Sequence, residues 1–206
     1  MMNSDAGQQR THGEAGRQLP LLARRAVETY VREGRFVESK SAAAFESDDS
    51  ETAALLSQRA ACFVSIKTRD GELRGCIGTI EPARPTLAEE IVINAAHAAT
   101  RDPRFPPVGE EELAALRYSV DVLFAPEPAE FNDLDPSIYG VIVEDERGSR
   151  RGLLLPDIEG VETAAQQVQI AARKAGIAEG ERVKLYRFRV QRFRERETRQ
   201  TREQGA

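Results

Sequence analysis

This sequence predicts an α+β fold built mostly from antiparallel sheet, on three observations. "ACFVSIK" and "ELRGCIGTI" flank the turn "RDGE", and "YGVIVED" and "RGLLLP" flank an Arg147-Gly148-Ser149 turn, so two strand pairs are joined by short connections. Asp-Gly is a favoured type I′ hairpin dipeptide, because both central residues of that turn need positive φ. A segment of helical apolar period follows each hairpin, which gives strand–strand–helix twice. Hairpin-joined strands are antiparallel, whereas a Rossmann-type sheet alternates strand with helix.

The elements follow in order. Residues 1–17 are polar and read as a disordered tail, residues 18–194 as one domain, and 195–206 as a solvated tail. "LPLLARRAVETYVRE" carries a helical stripe of Leu19, Leu22, Ala23, Ala26, Val27, Tyr30 and Val31. Residues 38–50 are rich in Ser and Asp and read as a loop, with Ser50 as the cap of a short helix. After the first hairpin, Thr86 and Glu89 form a capping-box pattern ahead of "LAEEIVINAAHAAT", whose alanines permit close packing. The three prolines of "RDPRFPPV" end that helix and enforce an extended segment. "EEELAAL" reads as a short helix, "RYSVDVLF" as an alternating strand and "APEPAEF" as a loop. "VETAAQQVQIAARKAG" is a helix with apolar positions 161, 164, 165, 168, 172 and 175, stopped at Gly176. "VKLYRFRVQRF" is one last strand with Tyr186, Phe188 and Val190 facing inward. The expected core includes Leu22, Val27, Ile91, Val120, Val122, Leu154, Val168 and Phe188.

Composition excludes several functions. A net charge of −5 argues against nucleic acid or an anionic membrane as partner for the whole chain. No apolar run approaches the ~20 residues that span a bilayer. The polar start lacks the apolar stretch of a signal peptide, so a cytoplasmic protein is expected. Two cysteines and two histidines are too few, and wrongly spaced, for a zinc site or an iron–sulfur cluster. No metal and no cofactor are expected, and no phosphate loop, dinucleotide fingerprint or nucleophile elbow is present.

The chemistry concentrates in "LRGCIG", residues 73–78. A two-residue Asp70-Gly71 turn pairs Arg69 with Glu72, Lys67 with Arg74, and Ser65 with Cys76. Strand alternation then puts Cys62, Val64, Ile66, Leu73 and Ile77 on the apolar face, and Cys76 on the other with Arg74, Lys67 and Ser65. The two cysteines face opposite ways, which disfavours a disulfide. Neighbouring cations favour a thiolate, so Cys76 is a candidate nucleophile assisted by Arg74, its pKa lowered by roughly one unit. The competing reading makes Cys76 a small packed side chain, with Gly75 and Gly78 marking a bulge or the close passage of a helix.

Other candidates are binding residues. Asn94 lies on the inner stripe of its helix and could pin that helix to the glycine strand. Asp102 and Arg104 flank Pro103, either as a local loop bond or as an anion clamp on a rigid frame. The helix that connects them to LRGCIG places both near that strand. His97 stands alone among alanines without an orienting partner and reads as packed.

"LRGCIGTI", "NAAHAATRDPRFPPV", "GLLLP" and "KAGI" together resemble the AMMECR domain family, whose prokaryotic members are called AmmeMemoRadiSam system protein A. The resemblance covers about residues 19–194. It implies an α+β domain of two lobes, a functional cleft lined by LRGCIG, and association with a Memo-like protein and a radical SAM protein. This chain lacks the three-cysteine cluster motif and would be a companion of that enzyme. It also departs from many relatives, with Ile138-Tyr139-Gly140 where they carry Lys-His-Gly, and without their tryptophan and cysteine near the last helix. Two functions follow: a binding or accessory domain that uses the glycine strand as its surface, or an enzyme that uses Cys76 as nucleophile or redox thiol. The absence of a general base in sequence beside Cys76 favours the first.

Overall fold

The computed structural model describes residues 15–38 and 50–195. Four helices and eight strands make up the described chain: α1 (Ala15–Glu33), α2 (Ser50–Ser57), β1 (Cys62–Lys67), β2 (Leu73–Gly78), α3 (Leu87–Thr100), β3 (Arg117–Leu123), β4 (Glu127–Ala129), β5 (Gly140–Asp145), β6 (Arg151–Leu154), α4 (Ala164–Lys174), β7 (Val183–Phe188) and β8 (Val190–Arg194). They form two four-stranded sheets, ordered β2-β1-β3-β8 and β4-β7-β5-β6, and every pairing is antiparallel. The fold is therefore α+β, as the hairpins predicted.

Each sheet buries one face under helices. On β1, Cys62, Val64 and Ile66 point into a core with Leu22, Val27, Leu87, Ile91 and Ala98 from α1 and α3. Phe63, Ser65 and Lys67 alternate to the opposite face. In the second sheet, Val141, Val143 and Leu154 pack under α4. A third cluster joins the two sheets: Ile142, Leu153, Leu155 and Phe188 pack against Phe63, Leu123 and Val190. The layers thus run helix, sheet, sheet, helix, and the space between the sheets is partly core and partly cleft.

The structure revises several boundaries. The last strand is broken at Arg189: β7 belongs to one sheet and β8 to the other, so a single run of chain ties the lobes together. α1 begins at Ala15, inside the expected tail. Glu195 is not solvated tail; it accepts from Arg24 Nε at 2.7 Å and Nη2 at 2.8 Å, and from the Tyr118 N–H at 3.3 Å. "APEPAEF" supplies the short strand β4. "EEELAAL" is a 3₁₀ turn over Glu110–Ala115. Most of the expected 38–50 loop lies outside the described residues. Of the expected core, Val168 alone is only partly buried. The face of α4 that is fully buried carries Gln167 and Ala171. Gln167 is tolerated there because its Nε2 donates to the Tyr139 carbonyl at 2.8 Å.

Two glycines set the helix-to-sheet distance. A Cβ on Gly75 would lie well inside van der Waals contact distance of the Ala98 carbonyl oxygen of α3, and one on Gly152 would meet the Ala171 carbonyl of α4 in the same way. In both places the obstacle is backbone, which cannot rotate aside. Gly75→Ala and Gly152→Ala should each cost about 3 kcal/mol, the upper end of overpacking penalties, read from urea melts. Gly34→Asn is the control, since Gly34 sits at φ +68° with nothing near its Cβ and asparagine tolerates that conformation; it should change stability by less than ~0.5 kcal/mol.

Candidate functional site

Cys76 lies opposite Ser65 as expected, but not through a two-residue turn: the Thr68 N–H donates to the Glu72 carbonyl at 2.9 Å, and within the turn Gly71 has positive φ whereas Asp70 does not. The ladder then slips: Ile66 faces Gly75, Lys67 faces Leu73, and Arg74 is the unpaired residue of a β-bulge. This corrects the expected facing. Leu73 joins Cys76 on the side away from α1 and α3, lining the same cleft, and Arg74 leaves it. The Arg74 guanidinium holds Glu112 through two bonds of 2.8 and 2.9 Å and donates to the Pro106 carbonyl at 3.0 Å. Arg74 fastens the proline segment to β2 and does not line the cleft with the thiol. Gly78 gives room to the Phe63 ring.

The proline segment carries the second half of the site. Asp102, 4% exposed, accepts the Cys76 backbone N–H at 2.8 Å. The same carboxylate accepts from Arg104 through Nε at 2.9 Å, Nη2 at 2.7 Å and the main-chain N–H at 3.1 Å. Arg104 and these N–H groups hold the Asp102 carboxyl down at about 2. Asp102 and Arg104 therefore do lie against LRGCIG, and Arg104 reaches the cleft wall.

That cleft, about 790 Å³, opens between the two sheets. Its floor is the free face of the first sheet, with Phe63, Ser65, Cys76, Ser119, Asp121 and Arg192. Its far wall is Leu153, Leu154, Leu155 and Ile158, and Lys174 at the end of α4. Cys76 Sγ accepts from the Ser65 hydroxyl at 3.2 Å. Burial pushes the Cys76 thiol up, against the smaller downward pulls of that hydroxyl and of Arg104. The expectation of a lowered pKa is thus reversed: Arg74 is diverted, and desolvation outweighs the cations that remain. Cys62 is fully buried on the opposite face and its thiol is pushed further up, again by burial; both cysteines are free.

Asn94 is placed elsewhere. Its Nδ2 donates to the Cys62 carbonyl at 3.0 Å, so it pins α3 to β1, not to the glycine strand, and it lies in the core behind the cleft floor. His97 packs edge-on to Phe36. Sequence reasoning missed Glu90, buried beneath the loop after β2, where it accepts from the Thr79 hydroxyl and from the Ala83 and Arg84 N–H groups at 2.6, 2.9 and 2.8 Å. It also missed Lys174, Asp121 and Arg192, which no local pattern connects to LRGCIG. Among the described residues, no cluster of His, Cys, Asp or Glu could hold a metal ion, and no helix is long and apolar enough to cross a membrane.

Comparison with known proteins agrees with the motif. The AMMECR1 family model matches residues 21–193. The chain belongs to the AMMECR1 family. A Thermotoga maritima protein is 49% identical over 172 residues, covering 82% of this chain and 93% of that one. A Clostridium acetobutylicum protein is 43% identical over 174 residues, which are 84% of this chain but 35% of that longer protein. The crystal structure of the uncharacterized protein PH0010 from Pyrococcus horikoshii superimposes with a TM-score of 0.73 at 31% identity, covering 87% of this AMMECR1 chain and 90% of that one.

Two measurements check the site. The folded pKa of Asp102 lies below its ordinary 3.8, so its charge stabilises the fold fully above that value and the stabilisation is lost as pH falls towards 2. Asp102→Asn should cost about 2 kcal/mol at pH 7, and the gap to wild type in urea melts should narrow only below about pH 4. For the thiol, the alkylation rate of Cys76 should still be climbing at pH 9.0, its ordinary value. Ser65→Ala should displace that profile further upward, and Cys62 should react only on denaturation. A plateau at neutral pH would contradict the assignment.

Proposed function

We propose that this AMMECR1 chain is a binding and accessory domain that works through the cleft over LRGCIG, with Memo-like and radical SAM proteins as its partners. The observation that carries the reading is the surroundings of Cys76 Sγ. Its bonded partner is the Ser65 hydroxyl, and Asp102 is committed to the Cys76 backbone and to Arg104. Among the described residues no His, Asp or Glu is bonded to the sulfur, and a nucleophile without a base is an incomplete site. The cleft volume falls within the range of about 300–1,000 Å³ typical of small-molecule sites. The Memo-like and radical SAM association rests on the family resemblance.

A second reading has one observation in its favour. Partial burial, with Arg104 close by, pulls Lys174 below its ordinary value, and its charge senses Cys76. Lys174 would then be the base that Cys76 otherwise lacks, and the chain an enzyme.

One experiment separates the two. The purified chain is titrated with the Memo-like and radical SAM proteins encoded in the same genome. Cys76→Ser should bind within about twofold of wild type, whereas Ser119→Trp, which fills the cleft from its floor, should weaken binding at least about tenfold. Unchanged binding by Ser119→Trp would overturn the cleft reading. Binding retained with all turnover of the assembly lost in Cys76→Ser would transfer the assignment to the enzyme.

A further inference from the structure

We infer that the cleft takes a small amphipathic monocarboxylate, its head between Arg104 and Lys174 beside Cys76 and its apolar body along the apolar rim. The inference rests on the reading of the cleft as a binding surface and names what that surface binds.

The sign of the charge comes first. Five cationic residues line the cleft against three acidic ones, in a chain whose net charge is −5. Three of the five cations, Arg104, Arg192 and Arg194, are matched by carboxylates, and Lys67, without an ion pair among the described residues, is exposed at the end of β1. Arg192 holds Asp121 through bonds of 2.7 and 3.1 Å and Asp157 at 3.1 Å. Arg104 uses Nε and Nη2 on Asp102, which leaves Nη1 without a bond among the described residues. Lys174 spends one weak bond of 3.4 Å on the Leu153 carbonyl and keeps two further protons. Arg104, Lys174 and Cys76 line the same cleft, and Lys174 feels the charges of both Cys76 and Arg104, which puts the free donors on the walls around the thiol.

The charge number comes from what is missing around them. Phosphate and polyphosphate sites use helix N-termini and nests of backbone N–H groups. Here α4 brings its C-terminal end, where Lys174 is the last helical residue and the helix dipole presents its negative pole. With Asp121, Asp157 and Glu159 also lining the space, a dianion would meet more repulsion than one free guanidinium edge and one ammonium offset. A single carboxylate matches the two donors.

The rest of the ligand is set by the walls. Leu153, Leu154 and Leu155 are buried and only edge the far wall, while Leu73 and Ile158 at the rim, 36% and 37% exposed, present the open apolar surface. Contact with an alkyl or aryl body would remove that surface from water. The neutral thiol fits the same picture: burial keeps Cys76 protonated, so no thiolate competes with the incoming anion for the two cations.

The probe is sodium octanoate, with octan-1-ol, acetate and inorganic phosphate as comparisons, followed by calorimetry and by the rate of Cys76 alkylation. Octanoate should bind saturably and slow alkylation at least about fivefold, because it covers the thiol and its charge disfavours the thiolate. Octanol, acetate and phosphate should each bind at least about tenfold more weakly. Lys174→Met, which keeps the aliphatic stem, should weaken octanoate about tenfold and leave octanol unchanged. Ile158→Ser should weaken octanoate but not acetate. Equal affinity for octanol and octanoate, tighter binding of phosphate, full octanoate affinity in Lys174→Met, or no octanoate binding at about 5 mM would each overturn the inference. If octanoate fails while Ser119→Trp still loses its protein partners, the ligand class falls and the cleft reading stands. If Ser119→Trp also binds normally, both fall.

Discussion

The buried carboxylate of Asp102 is the contact on which the arrangement around the cleft depends. β2 is an edge strand, so half of its N–H groups have no neighbouring strand to accept them. Asp102 accepts one of these, at Cys76, and in the same stroke holds the Arg104 guanidinium. The end of α3, the edge of the sheet and the cation at the cleft wall become one rigid unit. The edge is also blocked against pairing with another chain, because a side chain and a proline segment occupy the place a further strand would take.

The glycines of LRGCIG follow from the same closeness. Asp102 can reach the Cys76 N–H only if α3 lies tightly over β2, and Gly75 removes the side chain that would prevent it. The bulge at Arg74 then divides the strand by function. Residue 74 turns outward to bind Glu112 and the Pro106 carbonyl, which holds the proline segment from its other end. Residues 73 and 76 turn into the cleft. The thiol itself is the small side chain that fits between two glycines while facing a polar neighbour, Ser65.

How much of this was legible in the sequence depended on range. The hairpins and the 19–33 and 86–100 helices rest on local chemistry, whereas the Ser65–Cys76 pair does not follow from the turn alone: the turn closes at Thr68 and Glu72, and the bulge at Arg74 restores the pairing. The bulge was illegible because what draws Arg74 aside is Glu112, 38 residues later. The buried face of α4 was misplaced because Gln167 reads as polar, and its Nε2 is satisfied by carbonyls distant in sequence, those of Tyr139 and Leu155. Glu195 read as tail because its partner, Arg24, is 171 residues away. Lys174 and Arg192 line one cleft with Cys76 because the chain crosses between sheets at Arg189 and the second lobe lies over the first, and no periodicity encodes that crossing.

The electrostatics of the cleft then follow from pairing rather than from counting charges. Arg104 is close enough to lower the Cys76 pKa, but its charge is already neutralised by Asp102, so the sulfur feels nearer a dipole than a full cation. Arg192 is matched in the same way by Asp121, whose own charge acts on the thiol in the opposite direction. With Arg104 and Arg192 each answered by a carboxylate, desolvation decides, and the sulfur stays protonated. The capacity left over lies in the donors those carboxylates do not reach, Arg104 Nη1 and the Lys174 ammonium, on two residues that line the cleft. The physical asymmetry of the site therefore favours what can enter the cleft over what the thiol alone can attack.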